Sequence, residues 1–256
     1  MRQAVFTLAT IAVAATSTEE PNMVEFMQYI GQHQKSYTTM EEFQVRMGRW
    51  HRADKYIAAH KETNDAEHFE VGHNKFSDWT EEEYEGMLGF MPARRNPANE
   101  WKIADRQSRL EGVPVPLSID WRERRTVTPV KDQSACGSCW AFASAAVLEG
   151  AHARKTGQLL SFSEQLFVSC VKNITDYGYI SETPPCCNGC MGGDYDASFS
   201  WAGNNSIYLV LESNYRYEMA NGTCEYDSKG KTRVQVESYT DIPTNDPDTM
   251  KLALSH

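Results

Sequence analysis

The sequence predicts an α+β protein with a helical N-terminal domain and a second domain beyond a proline-rich boundary. Three observations support this organisation. Two helical patterns fill residues 25–61, four prolines interrupt residues 91–116, and all seven cysteines lie after residue 135. A composition of 41% hydrophobic and 23% charged residues is typical of a globular protein rather than of a disordered chain or a coiled coil.

Hydrophobic spacing predicts the helical domain. Residues 25–61 favour two helices separated by residues 31–39. The second helix carries one apolar stripe, formed by Phe43, Met47, Trp50 and Ile57. We expect that stripe to pack against another element.

Three shorter elements complete the predicted secondary structure. Residues 71–76 favour a short strand. Thr80 followed by Glu83 is a capping-box pattern, in which each side chain reaches an unpaired N–H at a helix start. A further helix is expected from Ser138 to about Gly157, because glycine suits a C-terminal cap.

The N-terminus has the pattern of a secretory signal peptide. Arg2 precedes a short apolar run, small residues occupy 14–17, and acidic residues follow. The apolar core is shorter than the about 20 residues that span a bilayer, and no later stretch predicts a membrane span. We expect a signal peptide at residues 1–18 and a location in a lysosome, a digestive vacuole or outside the cell. The alternative is a loosely apolar N-terminal helix.

Charge and sequons add to this picture. The net charge of −10 argues against a nucleic-acid partner, because too few cations are available to neutralise phosphates. Glycosylation sequons at Asn173, Asn204 and Asn221 give modest support to the secretory route.

The strongest chemical signal surrounds Cys139. A cysteine that opens a helix lies at the positive end of the helix dipole, where a thiolate nucleophile is favoured. The N–H of Cys139 lacks a partner inside the helix, so it can hold an oxyanion together with the side-chain amide of Gln133. Gly137 permits close approach of a substrate backbone. The alternatives are a structural or a redox Cys-x-x-Cys pair.

The run Cys136-Gly137-Ser138-Cys139-Trp140, with Gln133 and Phe142, closely resembles the nucleophile segment of papain-like, cathepsin L-type cysteine proteases. The resemblance implies peptide hydrolysis through a thioester on Cys139. It also implies protein or peptide substrates and no cofactor. The expected fold is a helical left domain facing a β-barrel right domain.

Upstream residues resemble the inhibitory prodomain of the same family. This implies a prodomain at residues 19–90, a processing linker at 91–114 and a peptidase domain at 115–256, the prodomain being an intramolecular inhibitor. Asparagines are expected where Ala53 and Lys61 stand. The matching positions are Glu42, Arg46, Trp50 and Ile57 in the helical motif, and Gly72, Asn74, Phe76 and Asp78 in the following one.

Downstream residues resemble the family's substrate groove. Ser163-Glu164-Gln165-Leu166 matches one landmark and Cys190-Met191-Gly192-Gly193 matches the next. The resemblance implies that Gly192 and Gly193 line the cleft, with Gly193 bonding the substrate backbone. Asp194 and Tyr195 are expected to border the pocket for the side chain two residues before the scissile bond.

The resemblance also implies disulfides between Cys136 and Cys190 and between Cys170 and Cys224, which leaves Cys139 free. The bonding state of Cys186 and Cys187 stays open, with three alternatives: they bond each other, bond another chain or remain reduced. A zinc site at Cys186, Cys187 and Cys190 is disfavoured, because no histidine or fourth cysteine follows at ligand spacing. We expect no metal.

The base that a cysteine nucleophile needs is missing from the expected place. The family's histidine and asparagine lie about 130 to 150 residues after the cysteine, whereas the sequence ends 117 residues after Cys139. His152 lies about 20 Å along the same predicted helix at 1.5 Å per residue. We therefore expect a chain truncated before those residues, with most of the right domain missing. The alternatives to an endopeptidase precursor are a non-catalytic fragment and a prodomain-type protease inhibitor.

Overall fold

The computed structural model describes residues 22–63, 68–91, 112, 114–174, 186–242 and 245–255. The predicted signal peptide at 1–18 and nearly all of the predicted linker lie outside these residues. The chain divides into two compact units, Met1–Thr80 and Glu81–His256. Helix α3 and residues 88–91 therefore group with the second unit, although the sequence predicts a boundary near residue 90.

The first unit contains two helices, α1 at Met23–Gln32 and α2 at Met40–Lys61. This confirms the predicted pair and the break between them. Asn22 caps α1 by accepting hydrogen bonds from the backbone N–H groups of its first turn, and Thr39 caps α2 in the same way. The core consists of Phe26, Tyr29 and Trp50, with Ile30, Tyr37, Phe43 and Met47 packed against them.

The strand predicted at residues 71–76 is wrong. In the structure this segment is irregular and ends in a turn at residues 75–78. The side chain of Asn74 accepts the N–H of Phe76 at 2.9 Å, and Ser77 Oγ accepts the N–H of Asn74 at 3.0 Å. Because these side chains bond the local backbone, the segment turns and does not pair as a strand.

The second unit is mainly helical. Its long helix α4 begins at Cys139 and ends at Thr156, where Gly157 adopts a left-handed φ of 76°, as predicted for a C-terminal cap. The other helices are α3 at Glu81–Met87, α5 at Glu164–Cys170, α6 at Tyr195–Asn204 and α7 at Pro247–Ser255. Helix α4 packs against both α5 and α6.

The strands of the described residues form two small antiparallel sheets. Strand β1 (Lys172–Ile174) pairs with β2 (Cys186–Asn188), and β3 (Tyr208–Val210) pairs with β4 (Lys231–Gln235). This content agrees with the expected helical left domain and with few strands of a right domain. Within the described residues, no helix is long and apolar enough to cross a membrane.

The core of the second unit lies beneath the start of α4. Its large buried members are Trp140, Phe162, Leu166, Phe167, Phe199 and Leu209. Disulfides join Cys136 to Cys190 and Cys170 to Cys224, which are the pairs that the resemblance implies. A third disulfide joins Cys186 to Cys187, one of the three states left open from sequence.

Candidate active site

Cys139 is the first residue of α4 and the one free cysteine of the seven, all of which the structure describes. It is partly exposed. The first bonds to the helix start run from the N–H groups of Ala141 and Phe142 to the carbonyl of Ser138, at 2.9 and 3.2 Å. The N–H of Cys139 precedes these bonds, so it is available to an anion beside the thiol.

The side chain of Gln133 lies in the loop before the helix. Its Nε2 donates to the carbonyl oxygen of Cys136 at 2.8 Å and to that of Met87 at 3.0 Å. The first bond fixes the amide against its own loop, which the Cys136–Cys190 disulfide holds. The second shows that this amide can bind a peptide carbonyl.

The residues around Cys190 form a wall that requires glycine. An added Cβ at Gly193 would lie 2.6 Å from the ring of Trp140, and Gly192 has a φ of +113°. Trp140 Nε1 donates to the carbonyl of Gly189 at 3.1 Å, and the side-chain oxygen of Asn221 accepts the N–H of Cys190 at 2.7 Å. The wall is therefore tied to the residue that follows Cys139.

A segment of the chain itself, Met87–Met91, lies along this wall. The N–H of Gly193 donates to the carbonyl of Gly89 at 2.8 Å, and the N–H of Met91 donates to the carbonyl of Gly193 at 2.9 Å. The two backbones form a parallel bridge. Gly89 packs so closely on Gly137 that an added Cβ would overlap the Gly137 carbonyl.

Tyr195 also contacts this segment. Its ring stacks on that of Phe90, with centroids 5.7 Å apart and planes 8° from parallel. Asp194 is 4% exposed and caps α6, its Oδ1 accepting the N–H of Asp196 at 2.8 Å.

The segment Met87–Met91 thus contacts five of the predicted site residues: Tyr195, Gly192, Gly193, Gly137 and Gln133. Sequence reasoning did not single out Met87–Met91, although the spacing of Gly86 and Gly89 is a visible signal.

A buried ionic cluster behind the site was also missed. Lys131 Nζ donates to Glu149 at 2.8 Å and to Glu164 at 2.6 Å, and Glu149 further accepts the hydroxyl of Thr128 at 2.6 Å. Burial lowers the pKa of Lys131, but the two carboxylates outweigh it and the pKa lies above its ordinary value. Burial raises the pKa of Glu164 to about 7, against the attraction of Lys131.

The first unit holds a second buried cluster, centred on Asp78. This carboxylate is 1% exposed and accepts hydrogen bonds from Tyr29 and Lys35 on Oδ1, at 2.7 and 2.8 Å, and from Tyr37 on Oδ2 at 2.8 Å. Burial alone raises the pKa of Asp78, yet these donors outweigh it and the pKa lies below its ordinary value. Burial raises the pKa of Tyr29 and Tyr37 far above the usual range. The hydrogen bonds to Asp78 and its negative charge raise both values further.

The remaining predicted residues of the first unit surround this cluster. Arg46 donates to the backbone carbonyl of Asp78 at 3.2 Å and lies 3.6 Å from Glu42. The backbone carbonyl of Asn74 lies 3.1 Å from the Tyr29 hydroxyl, farther than Asp78 at 2.7 Å, and the ring of Phe76 packs edge-on against Trp79. Trp50 is buried and Ile57 half-buried. At Gly72 a Cβ would meet nothing within 4 Å, so nothing in the structure explains the glycine.

The described residues of the second unit include one histidine, His152. It lies thirteen positions after Cys139 on α4, about 20 Å along the axis, and its ring packs on Phe162. His256 lies outside the described residues. No group of histidine, cysteine and acidic residues that could hold a metal ion occurs among the residues that the structure describes.

Comparison with known proteins places these features in a family. The sequence model of the papain family cysteine proteases matches residues 115–256, and that of the cathepsin propeptide inhibitor domain matches residues 26–84. A cathepsin L-like peptidase of Aedes aegypti is 33% identical over 262 residues, which cover 100% of this chain and 74% of that protein. Germination-specific cysteine protease 1 of Arabidopsis thaliana is 34% identical over 207 residues, with 79% and 51% covered.

Solved structures of precursors are similar as well. Digestive procathepsin L 3 of the Tenebrio molitor larval midgut has a TM-score of 0.71 at 28% identity, with 90% of this chain and 69% of that chain covered. A recombinant stem bromelain precursor has a TM-score of 0.70 at 26% identity, with 92% and 70% covered. The chain thus spans between half and three quarters of the length of these relatives, and it belongs to the papain family of cysteine proteases with a cathepsin-type propeptide.

Proposed function

We propose that this chain is the precursor of a cysteine endopeptidase in which Cys139 attacks peptide carbonyls and the segment Met87–Met91 blocks the groove. The hydrogen bond from Gln133 Nε2 to the carbonyl of Met87, 3.0 Å long, carries the proposal. A carbonyl of the chain's own backbone occupies the donor that a substrate oxyanion needs. Gly193 is likewise engaged through both its N–H and its carbonyl.

The proposed reaction follows from the donors around Cys139. The thiolate forms a C–S bond to the scissile carbonyl carbon, and the carbonyl oxygen becomes an oxyanion between the N–H of Cys139 and the amide of Gln133. Collapse expels the amine, which takes up a proton from a general acid outside the described residues of this unit, and leaves a thioester. Water then hydrolyses the thioester and frees the thiol.

The blocking segment is suited to inhibition. It pairs with Gly193 in a parallel bridge, and it opposes glycines where a side chain would prevent close approach. We propose that its chain direction keeps every peptide bond out of alignment with the thiol. The stacking of Phe90 on Tyr195 covers the residue that is expected to border the pocket for a substrate side chain. Substrates with a large apolar residue there are expected to compete with it.

A general base for peptide hydrolysis must come from outside the described residues of this unit, since His152 is too far along α4. The three disulfides favour an oxidising compartment and support a secretory route. The lysosome, a digestive vacuole and the extracellular space fit this route equally.

A peptide p-nitrophenyl ester tests the nucleophile without that base, because nitrophenolate leaves without needing a proton. The full chain should release about one equivalent of nitrophenol as a burst and gain the acyl mass on Cys139. In a Gly89→Ala background, where the blocking segment is already displaced, Gln133→Ala should slow the burst by about 10²-fold, the cost of losing one oxyanion donor. Gln158→Ala, on an exposed loop after α4, is the matched control and should leave the burst rate of the same background unchanged.

Two outcomes would overturn the proposal. A burst that survives Cys139→Ser would assign the nucleophile to another residue. Equal burst rates for Gln133→Ala and Gln158→Ala would remove Gln133 from the oxyanion site.

A second candidate function is inhibition of related proteases in trans. The first unit has its own aromatic core and its own buried ionic cluster, so it is built to stand as a compact body. Adding the full chain to an active papain-type peptidase should then lower its turnover of a small peptide substrate. Asp78→Asn should weaken that inhibition, whereas Cys139→Ser should leave it unchanged. If micromolar concentrations of the chain do not inhibit the peptidase, this candidate function is rejected.

A further inference from the structure

Tyr217 lies far from Gln133 in sequence, yet its hydroxyl joins the two parts of the candidate site. Tyr217 Oη donates to the main-chain carbonyl of Gln133 at 2.9 Å and lies 2.6 Å from Ser138 Oγ. A phenol has one proton, and the Gln133 carbonyl can only accept. With the Tyr217 proton on that carbonyl, Ser138 donates its own hydroxyl proton to Tyr217, and the carbonyl of Cys136, 3.4 Å from Ser138 Oγ, is its more distant acceptor.

This arrangement alters the start of α4. A serine at the N-cap usually accepts an N–H of the first turn, but Ser138, although fully buried, makes no such bond. Its hydroxyl is engaged with Tyr217 instead. The Ser138 side chain therefore does not compete with a ligand for the N–H groups beside Cys139.

Contacts of its backbone and of its ring fix the position of Tyr217. Its N–H donates to Glu212 Oε1 at 3.1 Å, and its ring meets Phe142 edge-on with centroids 4.8 Å apart. The following residue is fixed too, since the N–H of Glu218 donates to Gln165 Oε1 at 2.9 Å. Burial raises the pKa of Tyr217, so the phenol keeps the proton that it donates.

The other oxygen of Glu212, Oε2, is buried. It accepts from no donor among the described residues, and Glu212 is one of the groups that act with burial to raise the pKa of Glu164. Two facing carboxylates are stable when one of them is protonated and donates to the other. Charged groups near the pair, among the described residues, include Lys131, which bonds Glu164 and Glu149, and Arg216, which lines the open groove beside Glu212; the charge of Asp132 also acts on Tyr217.

We propose that Tyr217 is a positioning residue for Gln133 and for the first turn of α4, and that Glu212, through a proton shared with Glu164, holds Tyr217 in place. The inference rests on the proposed function, because it concerns the same oxyanion donors. Above the pKa of Glu164 its proton goes to solvent, the two carboxylates repel each other, and the support of Tyr217 weakens. A neutral to alkaline pH should therefore loosen the Gln133 loop.

Nuclear magnetic resonance of the full chain tests this without any turnover. Glutamine side chains are labelled with ¹⁵N, and the Gln133 signal is the one lost in Gln133→Glu. Between pH 5.5 and 8.5 that signal should shift in one step near pH 7, following the pKa of Glu164. Glu164→Gln donates to Glu212 without titrating, so it should hold the signal at its low-pH position.

Tyr217→Phe separates positioning from a merely structural role. It leaves the acid pair intact, so the stability of the chain should still fall through the same pH range. The Gln133 signal, however, should be displaced at every pH and lose its step. The matched control is Tyr215→Phe, which removes a hydroxyl that donates to the carbonyl of Thr223 at 3.1 Å and should keep the step.

The possible failures are distinguishable. A Gln133 step that persists in Tyr217→Phe would overturn the positioning role, and the absence of a step in the wild type would overturn the shared proton. If Glu164→Gln does not fold, Glu212→Gln provides the same test, and a step retained there contradicts the proposal. None of these readouts needs Cys139 to react, so they do not depend on the ester burst.

Discussion

The carbonyl oxygen of Met87 accepts a hydrogen bond from the side-chain amide of Gln133, 46 residues later in the chain. A donor suited to the oxyanion of a reaction is thus occupied by the chain's own backbone. The adjoining residues reach Gly193 on the opposite wall through two further backbone bonds. Access to Cys139 should depend on how firmly this short segment is seated.

Gly89→Ala should unseat the segment. A methyl group at this position would overlap the carbonyl of Gly137, and neither backbone can yield cheaply. Backbone displacement of this kind costs about 1–3 kcal/mol, which corresponds to about a 5- to 150-fold rise in groove exposure. The burst rate of the nitrophenyl ester on the full chain should rise accordingly.

Gly86→Ala is the control for that substitution, because a Cβ at Gly86 meets nothing within 4 Å and the residue lies inside α3. It should leave the burst rate unchanged and favour the helix slightly. Equal burst rates for the two alanine variants would show that Gly89 does not control the groove.

Acid should destabilise the first unit through Asp78. The pKa of this carboxyl is depressed in the folded chain, so its stabilising effect is present above the unfolded value near 4 and is lost as the pH falls below it. Asp78→Asn at pH 7 leaves the mostly buried Lys35 without its charge partner and should lower the free energy of unfolding by about 3–5 kcal/mol. Urea unfolding at pH 7, 5 and 3 measures both effects.

Glu62→Gln is the control for the acid test, since Glu62 is exposed at the end of α2. It should change the free energy of unfolding by at most about 0.5 kcal/mol. A wild-type chain as stable at pH 3 as at pH 7, or an Asp78→Asn chain with the same pH response as the wild type, would contradict the role of the cluster.

Sequence reasoning found the elements whose signals are local. The sequence predicts helix α4 from Ser138 to about Gly157; the helix begins one residue later, at Cys139, and its end before Gly157 follows from a glycine that adopts a left-handed φ. The two helices of the first unit follow from helical spacing, with one apolar stripe on the second of them. The strand predicted at 71–76 is wrong because the hydrophobic pattern carries no information on the side-chain bonds that make Asn74 and Ser77 turn the chain.

The parts that sequence reasoning missed depend on residues far apart in the chain. Lys131, Glu149 and Glu164 are each typical of a solvated surface when taken alone, and only folding places one lysine between two buried carboxylates. The stacking of Phe90 on Tyr195 spans 105 positions and has no periodicity to reveal it.

Lys131→Met should be strongly destabilising. It leaves Glu149 and Glu164, both 1% exposed, without the cation that compensates their burial. Removing one partner of a buried pair costs about 3–5 kcal/mol. Lys155→Met removes an exposed pair with Glu237 and should cost at most about 1 kcal/mol. Equal losses for the two variants in urea unfolding would contradict a stabilising role of the cluster.

Amide and ester substrates should behave differently with this chain. Expulsion of an amine needs a proton from a general acid, and the described residues of the second unit place no histidine beside Cys139. The full chain should therefore become acylated by the nitrophenyl ester yet show no turnover of the matching peptide amide from pH 4 to 8.

Imidazole in solution can act as a base on the water that attacks the thioester, so the rate of acyl-group release should rise in proportion to the imidazole concentration. The acceleration should be absent in Cys139→Ser, which forms no thioester. Amide turnover without imidazole that disappears in Cys139→Ser would show that a base does reach the thiol from elsewhere in the chain.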